Sequence, residues 1–205
     1  DGLSADYAVI TVPSGRIATY LNLYFDTPDL RSYHAHLGAR RVRQKVRIRS
    51  YPDRELAFVE VKTRRNGAIT EKYRLRIPYG TTMLDAAAHA FVAEHCVYAN
   101  ELVPTLHVDY LRISLIGLAT DERATIDLAL TIDDDRGGTL TLGEVAIVEV
   151  KQPSASRQTP ILHALRDAGM REGSISKYAT GVALLGEVRS SRLRPALRAL
   201  ERIAR

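Results

Sequence analysis

The chain has 205 residues, which is enough to bury one sizeable core and too few to favour two full-sized domains. Hydrophobic residues make up 45% and charged residues 26%, as in ordinary globular proteins, so neither a disordered nor a fibrous chain is indicated. The formal net charge is +5, but residues 40–76 hold thirteen Lys or Arg against four Asp or Glu. This concentrated charge predicts an anionic partner: a phosphate polymer, a nucleic acid or a membrane surface.

The longest weakly polar stretches, residues 86–93 and 181–186, fall far short of the ~20 residues that a membrane-spanning helix requires. We therefore expect no transmembrane segment. The chain begins with Asp1 and shows no basic-then-apolar leader, which is typical of a fragment without a signal peptide. The single cysteine, Cys96, lies in an apolar helical pattern, so we expect a buried thiol and a reducing compartment, the cytoplasm.

The first predicted elements are a strand and a helix. Residues 20–25 form an aromatic and apolar run typical of a strand. Asp26 or Thr27 is expected to cap the helix that follows, and Gly38 is expected to end it.

Three alternating segments come next, at residues 40–49, 56–64 and 69–77. Residues 65–67, Arg-Asn-Gly, predict a hairpin turn between the last two, because Asn and Gly both tolerate positive φ. These segments predict an antiparallel meander.

The second half of the chain mixes helices and strands. A helix is predicted at residues 81–96, and a turn at residues 133–138. Further strands are predicted at residues 105–115, 123–132 and 143–151.

The C-terminal part is predicted to be helical. Helices are expected at residues 160–168 and 176–185, followed by a basic amphipathic helix. We therefore divide the chain into one domain at residues 1–186 and a C-terminal helix at residues 187–205.

The alternation of charges is the main functional signal. Successive side chains of a strand point to opposite faces, so the cations of the first alternating segment share one face. These are Arg41, Arg43, Lys45, Arg47 and Arg49.

The next two segments repeat this pattern, with Glu60, Lys62 and Arg64 on one face of the second and Lys72, Arg74 and Arg76 on one face of the third. Like charges on adjacent strands destabilise a sheet, so this face needs water, interleaved acids or a bound polyanion. A solvated outer face is the simpler alternative. The abundance of Arg, whose planar fork suits bidentate phosphate contacts, favours a binding site.

Three acids lie between apolar residues in strand-like segments: Glu60, Asp127 and Glu149. An acid in such a position is costly unless it is paired or binds a metal. Carboxylate oxygens suit Mg²⁺ or Mn²⁺ shared with phosphate oxygens. Pairing with neighbouring Lys or Arg remains the alternative for each acid.

A set of motifs in a fixed order accompanies these residues. They are Leu23-Tyr24-Phe25-Asp26-Thr27-Pro28, Arg43-Gln44-Lys45-Val46-Arg47-Ile48-Arg49, Val59-Glu60-Val61-Lys62, Glu71-Lys72-Tyr73-Arg74, the segment 104–112, Val148-Glu149-Val150-Lys151 and Ser174-Ile175-Ser176-Lys177-Tyr178. Each motif is weak alone. The ordered set resembles the catalytic domain of the vacuolar transporter chaperone (VTC) complex and its bacterial relatives, in the triphosphate tunnel metalloenzyme superfamily.

The resemblance implies an α+β fold: an antiparallel, eight-stranded, barrel-like tunnel with flanking helices. It also implies a tunnel lined with Lys and Arg. The family has a further first strand with a Glu/Lys-rich signature, where this chain offers only residues 6–10, so we expect that strand to be missing. Arg64 stands where some relatives carry His.

The resemblance also assigns roles to residues. It implies catalytic cations at Arg47, Arg49, Lys62, Arg112 and Arg123. It implies further phosphate-binding cations at Lys45, Lys72, Arg74, Lys151 and Lys177. Glu149 is the leading ligand for Mn²⁺ or Mg²⁺, with Glu60 and Asp127 as further candidates.

The implied function is that of a polyphosphate polymerase, which passes the γ-phosphoryl group of ATP to a growing polyphosphate chain. A triphosphatase of the same superfamily would need nearly the same residues. A non-catalytic polyphosphate-binding module is a further alternative, and partner subunits cannot be identified from the sequence. Specific nucleic-acid binding ranks lower, because the chain has no Trp and few aromatic residues interleave with the basic strands.

Overall fold

The computed structural model describes residues 2–65, 69–153, 156, 158–170, 172–186 and 188–203. Nine strands form one antiparallel sheet. They are β1 (Tyr7–Val9), β2 (Ala18–Asp26), β3 (Arg43–Tyr51), β4 (Leu56–Arg65), β5 (Ile69–Ile77), β6 (Val103–Gly117), β7 (Arg123–Asp134), β8 (Thr139–Leu142) and β9 (Ile147–Lys151). The helices are α1 (Arg31–Leu37), α2 (Ala86–His95), α3 (Pro160–Asp167), α4 (Lys177–Leu185) and α5 (Arg194–Ile203).

The strand order is β5-β4-β3-β2-β6-β7-β8, with β1 also paired to β6 and β9 also paired to β7. The predicted α+β class with an antiparallel tunnel-type sheet is confirmed. The sheet has nine strands rather than eight, and it is open. Where a missing first strand was expected, the short β1 pairs with the far end of β6.

The strands β3, β4 and β5 follow the predicted alternation. Val46, Ile48, Val59 and Val61 are buried on the outer face of the sheet, where they form one core with α2. Because apolar residues occupy every second position, one face of these strands is buried and the other is polar. The cations at the intervening positions therefore point to the opposite face, which we call the inner face.

The prediction of Arg41 as part of this row is wrong, because β3 begins at Arg43. The predicted turn at residues 65–67 falls mostly on residues outside those that the structure describes. The strand β8 was not predicted. It is only four residues long, and it pairs with the second half of β7.

Two helices begin later than predicted. The helix α2 starts at Ala86, because the Asp85 carboxylate accepts a hydrogen bond from the Ala88 amide at 2.8 Å and so caps it. The helix α1 starts at Arg31. The Asp26 carboxylate accepts hydrogen bonds from the amides of Ser32 and Tyr33, at 2.8 Å and 3.0 Å, and satisfies its free donors.

A second core occupies part of the inner face. Leu106, Val108, Leu130 and Ile132 of β6 and β7 are buried there against α1 and α4, and Leu193 joins them from the C-terminal segment. This core fills one end of the inner face and leaves the other end for polar side chains.

The sheet curls around the inner face. Lys62 on β4 interacts electrostatically with Glu149 and Lys151 on β9. These strands lie five positions apart in the sheet, which would be about 24 Å if the sheet were flat. Charges so far apart would be screened by salt, so this interaction requires that β4 and β9 curve toward each other across the inner face.

In the part of the chain that the structure describes, none of the helices is both long and apolar enough to span a membrane.

Candidate functional site

The strand register arranges the inner-face cations in rows. Lys45 on β3 lies opposite Lys62 on β4, and Lys62 lies opposite Lys72 on β5. In the next row Glu60 lies between Arg47 and Arg74. The predicted phosphate-binding residues of these three strands therefore share one surface, as their alternation indicated.

Glu60 neutralises part of this surface. Its carboxylate is 2% exposed and accepts hydrogen bonds from Arg47 Nε and Nη2 at 2.9 Å and 2.6 Å. Lys72 Nζ lies 2.5 Å from its other oxygen. Burial raises the pKa of Glu60, but the charges of Arg47 and Arg49 outweigh burial and lower this pKa to about 2. Glu60 is therefore ionised and holds two cations.

Asp127 forms a second cluster of the same kind. It is 1% exposed, and its oxygens accept hydrogen bonds from Arg112 Nε at 2.5 Å and Nη2 at 2.7 Å. Lys177 Nζ lies 2.5 Å from Asp127 Oδ2. Burial raises the pKa of Asp127, and the contacts with Arg112 and Lys177 lower it by more. Each buried acid thus carries a paired Arg and a paired Lys.

A β-bulge turns Asp127 inward. Two residues of β7, Ala129 and Leu130, lie opposite the single residue Tyr110 of β6. Ala129 adopts a left-handed conformation with φ of 50°. An extra residue reverses the alternation of a strand. Asp127 therefore shares the inner face with Leu130, although strict alternation would place it on the outer face.

The start of α4 connects the two sides of the inner face. The Ser176 hydroxyl caps α4 by accepting from the Ala179 amide, and it also accepts a hydrogen bond from Lys45 Nζ at 2.7 Å. The next residue, Lys177, reaches Asp127 on β7. Tyr178 stacks on Tyr24 of β2, with ring centroids 5.2 Å apart.

Burial and neighbouring cations shift the pKa values of Lys45 and Tyr24. Burial lowers the pKa of Lys45 to about 8, and the neighbouring cations, Lys62 first, add to the effect. Burial raises the pKa of Tyr24, but the charges of Arg47, Arg49 and Lys45 bring it down to about 8. The Tyr24 hydroxyl accepts a hydrogen bond from Arg47 Nη1 at 2.9 Å.

Arg49 is the most deeply enclosed of the predicted catalytic cations. Its Nε donates to Asn22 Oδ1 at 2.7 Å, and its Nη2 donates to the Tyr110 hydroxyl at 2.9 Å. The guanidinium also lies over the Tyr20 ring, 5.2 Å from its centroid. Arg49 therefore adds charge to the site from a fixed position below its surface.

The strand β9 supplies the opposite side. Glu149 and Lys151 point to the inner face, because they pair with Thr125 and Arg123 of β7, which alternate with the buried Ala124. The Lys151 side chain is 70% exposed and the Glu149 side chain 55%, with Lys151 Nζ 3.5 Å from Glu149 Oε1. These two side chains are open to a ligand.

Comparisons with known proteins identify the family of this chain. The family model described as the VTC domain matches residues 4–186. The chain belongs to the VTC domain family. The resemblance seen in the sequence motifs is therefore confirmed.

This VTC domain also resembles a solved structure. That structure is HpAC1 from Hippeastrum, a presumed adenylyl cyclase with a dominant triphosphatase activity. The TM-score is 0.52, the identity is 15%, and the match covers 82% of each chain. At this identity the likeness concerns the fold, which is the triphosphate tunnel type. No curated protein gave a significant match.

The donor groups of this VTC domain suit a metal only in part. Glu60 and Asp127 are each engaged by two cations, and in the described residues there is no group of three or more His, Cys, Asp or Glu placed to hold an ion. Glu149 remains accessible on the inner face. Mg²⁺ commonly takes one or two carboxylates and completes its shell with phosphate oxygens and water. The site thus fits an ion that phosphate helps to hold.

Three polar residues of the VTC domain's site were not predicted: Asn22, Tyr24 and Ser176. Asn22 and Tyr24 alternate with the buried Leu23 on β2, so the period of two could have revealed them. Ser176 lies at the start of the helix predicted at residues 176–185, but its contact with Lys45 follows from no local pattern, because only the tertiary packing of α4 produces it.

Proposed function

We propose that this VTC domain is a polyphosphate polymerase that binds triphosphate and polyphosphate on its inner face and transfers the γ-phosphoryl group of ATP to a growing chain. The main support is the convergence of cations from β3, β4, β5, β6, β9 and α4 on one curved surface. Such a surface matches a linear polymer that carries a charge at every unit. The family match supports the same class of substrate.

The exposed cations make the first contacts in this proposal. Lys62, Arg74 and Lys151 have accessible side chains and can rearrange around successive phosphates. Lys72 is also accessible, but it stays paired with Glu60. Arg123 pairs with Lys151 across β7 and β9 and extends the surface.

The enclosed cations fix the position of the reacting group. Arg47 and Arg112 are oriented by their acids, so their remaining N–H groups hold phosphate oxygens in a fixed geometry. Preorganised donors stabilise the charge that develops on the transferred group. The terminal phosphate oxygen of the chain attacks Pγ in line, the bond from Pγ to the β-phosphate oxygen breaks, and ADP leaves.

A divalent ion completes the site in this proposal. Glu149 would hold Mn²⁺ or Mg²⁺ together with phosphate oxygens, and the bound ion supplies charge neutralisation on those oxygens. The register of β9 on β7 keeps the Glu149 carboxylate on the inner face, beside Lys151.

A triphosphatase is the second candidate. It is favoured by the activity of the Hippeastrum protein that shares the fold. In this case water replaces the chain terminus as the nucleophile, and the same cations hold inorganic triphosphate. A module that binds polyphosphate without turnover is the third.

One assay separates these three candidates. The protein is incubated with ATP, or with inorganic triphosphate, and either Mn²⁺ or Mg²⁺, and the products are resolved on a polyacrylamide gel beside an orthophosphate assay. Long chains from ATP are the expected result. Orthophosphate without chains would identify a triphosphatase, and tight polyphosphate binding without either product would identify a binding module.

A matched pair of variants tests the role of Glu149. Glu149→Gln keeps the size of an exposed side chain and should abolish metal-dependent turnover while the protein still binds triphosphate. Glu144→Gln removes a charge from another exposed acid and should leave turnover unchanged. Full activity of Glu149→Gln would contradict the proposed metal ligand.

A further inference from the structure

Four aromatic rings form a continuous row on the inner face, one each from β6, β2, β3 and β4. Tyr110 stacks on Tyr20, with centroids 5.3 Å apart and planes at 11°. Tyr20 meets Tyr51 edge to face at 5.0 Å, and Tyr51 meets Phe58 at 6.1 Å. We call these residues the aromatic row. It crosses the sheet beside the phosphate-binding cations.

Guanidinium groups lie against this row. Arg112 lies over Tyr20 and Tyr110, at 4.8 Å and 5.1 Å from the ring centroids. Arg74 lies over Phe58 at 5.0 Å. Cations over ring faces are attracted by the electrons of the ring. The aromatic row is thus directly continuous with the proposed phosphate site.

A cavity of ≈ 220 Å³ opens beside the row. Tyr20, Tyr51 and Arg112 form its inner-face wall. Ile10, Val12 and Ala18 form an apolar part of the remaining wall, and Asp53, Arg54 and Ser114 form a polar part. An apolar wall does not stabilise a phosphate group, because phosphate oxygens require hydrogen-bond donors or water. A flat ring system with apolar faces and polar edges, attached to a phosphate chain, matches this mixed lining.

We propose that this cavity is a nucleobase subsite, in which the base of the nucleoside triphosphate donor packs against Tyr51 while Arg112 faces its phosphates. This inference rests on the proposed use of a nucleoside triphosphate. Base–aromatic stacking tolerates different bases, because every base has a π-face. The subsite therefore recognises nucleotides as a class.

The position of the subsite gives the donor a direction. Tyr51 ends β3, and Arg47 lies four residues earlier on the same face, ~13 Å along the strand. The base at Tyr51 places the triphosphate along the groove toward Arg47 and Glu60. The polyphosphate acceptor then occupies the opposite part of the groove, where Arg43 lies opposite Arg64 across β3 and β4.

The test compares ATP with inorganic triphosphate by isothermal titration calorimetry, without divalent metal so that turnover does not interfere. Tyr51→Ala should weaken ATP binding about tenfold and change triphosphate binding by less than about twofold, because only the stacking contact is lost. Tyr51→Phe keeps the ring and should bind ATP as the unaltered protein does.

A second variant covers the case in which Tyr51→Ala fails to fold. Ala18→Met fills the cavity without removing an existing contact. It should weaken ATP binding and leave triphosphate binding intact. In both variants, retained triphosphate binding shows that the fold is preserved.

The two proposals fail in different ways. If the unaltered protein binds neither ligand, the proposed function is wrong. If it binds both and the variants lower the two affinities equally, or lower neither, the nucleobase subsite is wrong and the phosphate site stands.

Discussion

Lys177 and Asp127 join the helix α4 to the strand β7, with Lys177 Nζ 2.5 Å from Asp127 Oδ2. Ser176, the residue before Lys177, binds Lys45 on β3. Two consecutive residues of one helix start therefore fix both sides of the inner face. The position of α4 must then control the spacing of the cations.

The packing of Gly181 tests this control. A Cβ atom at this position would lie 2.6 Å from Leu106 Cδ2 and 2.8 Å from Ile132 Cγ2. Gly181→Ala should lower the free energy of unfolding by about 1–2 kcal/mol, because overpacking outweighs the better helix propensity of Ala. It should also weaken triphosphate binding.

Gly143→Ala is the matched control, since a Cβ atom there has nothing within 4 Å. Urea unfolding and calorimetry measure both effects. If the two variants have the same free energy of unfolding and the same affinity for triphosphate, the position of α4 does not control the spacing of the cations.

Lys62 offers a direct test of phosphate binding. Its side chain is exposed on the inner face, so Lys62→Gln should leave the unfolding free energy unchanged. The affinity for triphosphate should fall roughly tenfold or more, because hydrogen bonds to charged groups are among the strong ones. Arg136→Gln, in the exposed turn after β7, removes the same charge away from the groove. If both variants bind equally well, Lys62 does not contact phosphate.

Arg47 is less suitable than Lys62 for a test of phosphate binding. From the sequence we expect Arg47→Glu to abolish triphosphate binding with little loss of stability. The structure contradicts the second half of this expectation, because Arg47 donates two hydrogen bonds to the buried Glu60. Removal of one partner of a buried ion pair costs about 3–5 kcal/mol.

The pKa of Glu60 makes stability depend on pH. This pKa is about 2 in the folded protein and ordinarily 4.5, so folding favours the ionised form. The stabilisation is present above pH 4.5 and is lost as the pH falls from 4.5 toward 2. It amounts to about 3 kcal/mol in magnitude.

Glu60→Gln should therefore be less stable than the unaltered protein at neutral pH, and the difference should shrink in acid. Urea unfolding across this pH range measures the difference, with the exposed Glu94→Gln as control. A difference that stays constant with pH would contradict the lowered pKa of Glu60.

The pKa values of Lys45 and Tyr24 predict that the protein takes up protons when it binds a polyanion. Each has a pKa of about 8, so near this pH Lys45 is partly neutral and Tyr24 is partly ionised. A bound polyanion favours the cationic lysine and the neutral phenol, so both groups take up protons.

Calorimetry of triphosphate binding in buffers of different ionisation enthalpy measures this uptake. Lys45→Gln should reduce it, and Arg136→Gln should not. A binding enthalpy that is the same in every buffer would show that neither group titrates.

Much of the fold could be predicted because its pattern is local. The face of each residue in β3, β4 and β5 follows from a period of two, and short connections place these strands side by side. Asp127 is different, because the bulge at Ala129 reverses its face. The left-handed conformation of Ala129 could not be predicted, because Ala rarely adopts it.

The site could be predicted only to the level of residue types. The sequence indicates that Glu60 and Asp127 each need a partner, but several cations compete for each acid. The choice of Lys177 for Asp127 depends on the docking of α4, about 50 positions further along the chain, which is a long-range property. The roles assigned to Glu60, Asp127 and Glu149 as metal ligands stay predictions.

The two buried acids also bear on the protein when no ligand is bound. Glu60 and Asp127 act as permanent counterions for Arg47, Lys72, Arg112 and Lys177. When a polyanion departs, these four cations are not left to repel one another. The protein can thus keep its shape without a ligand. The stability of the fold does not depend on a bound phosphate chain.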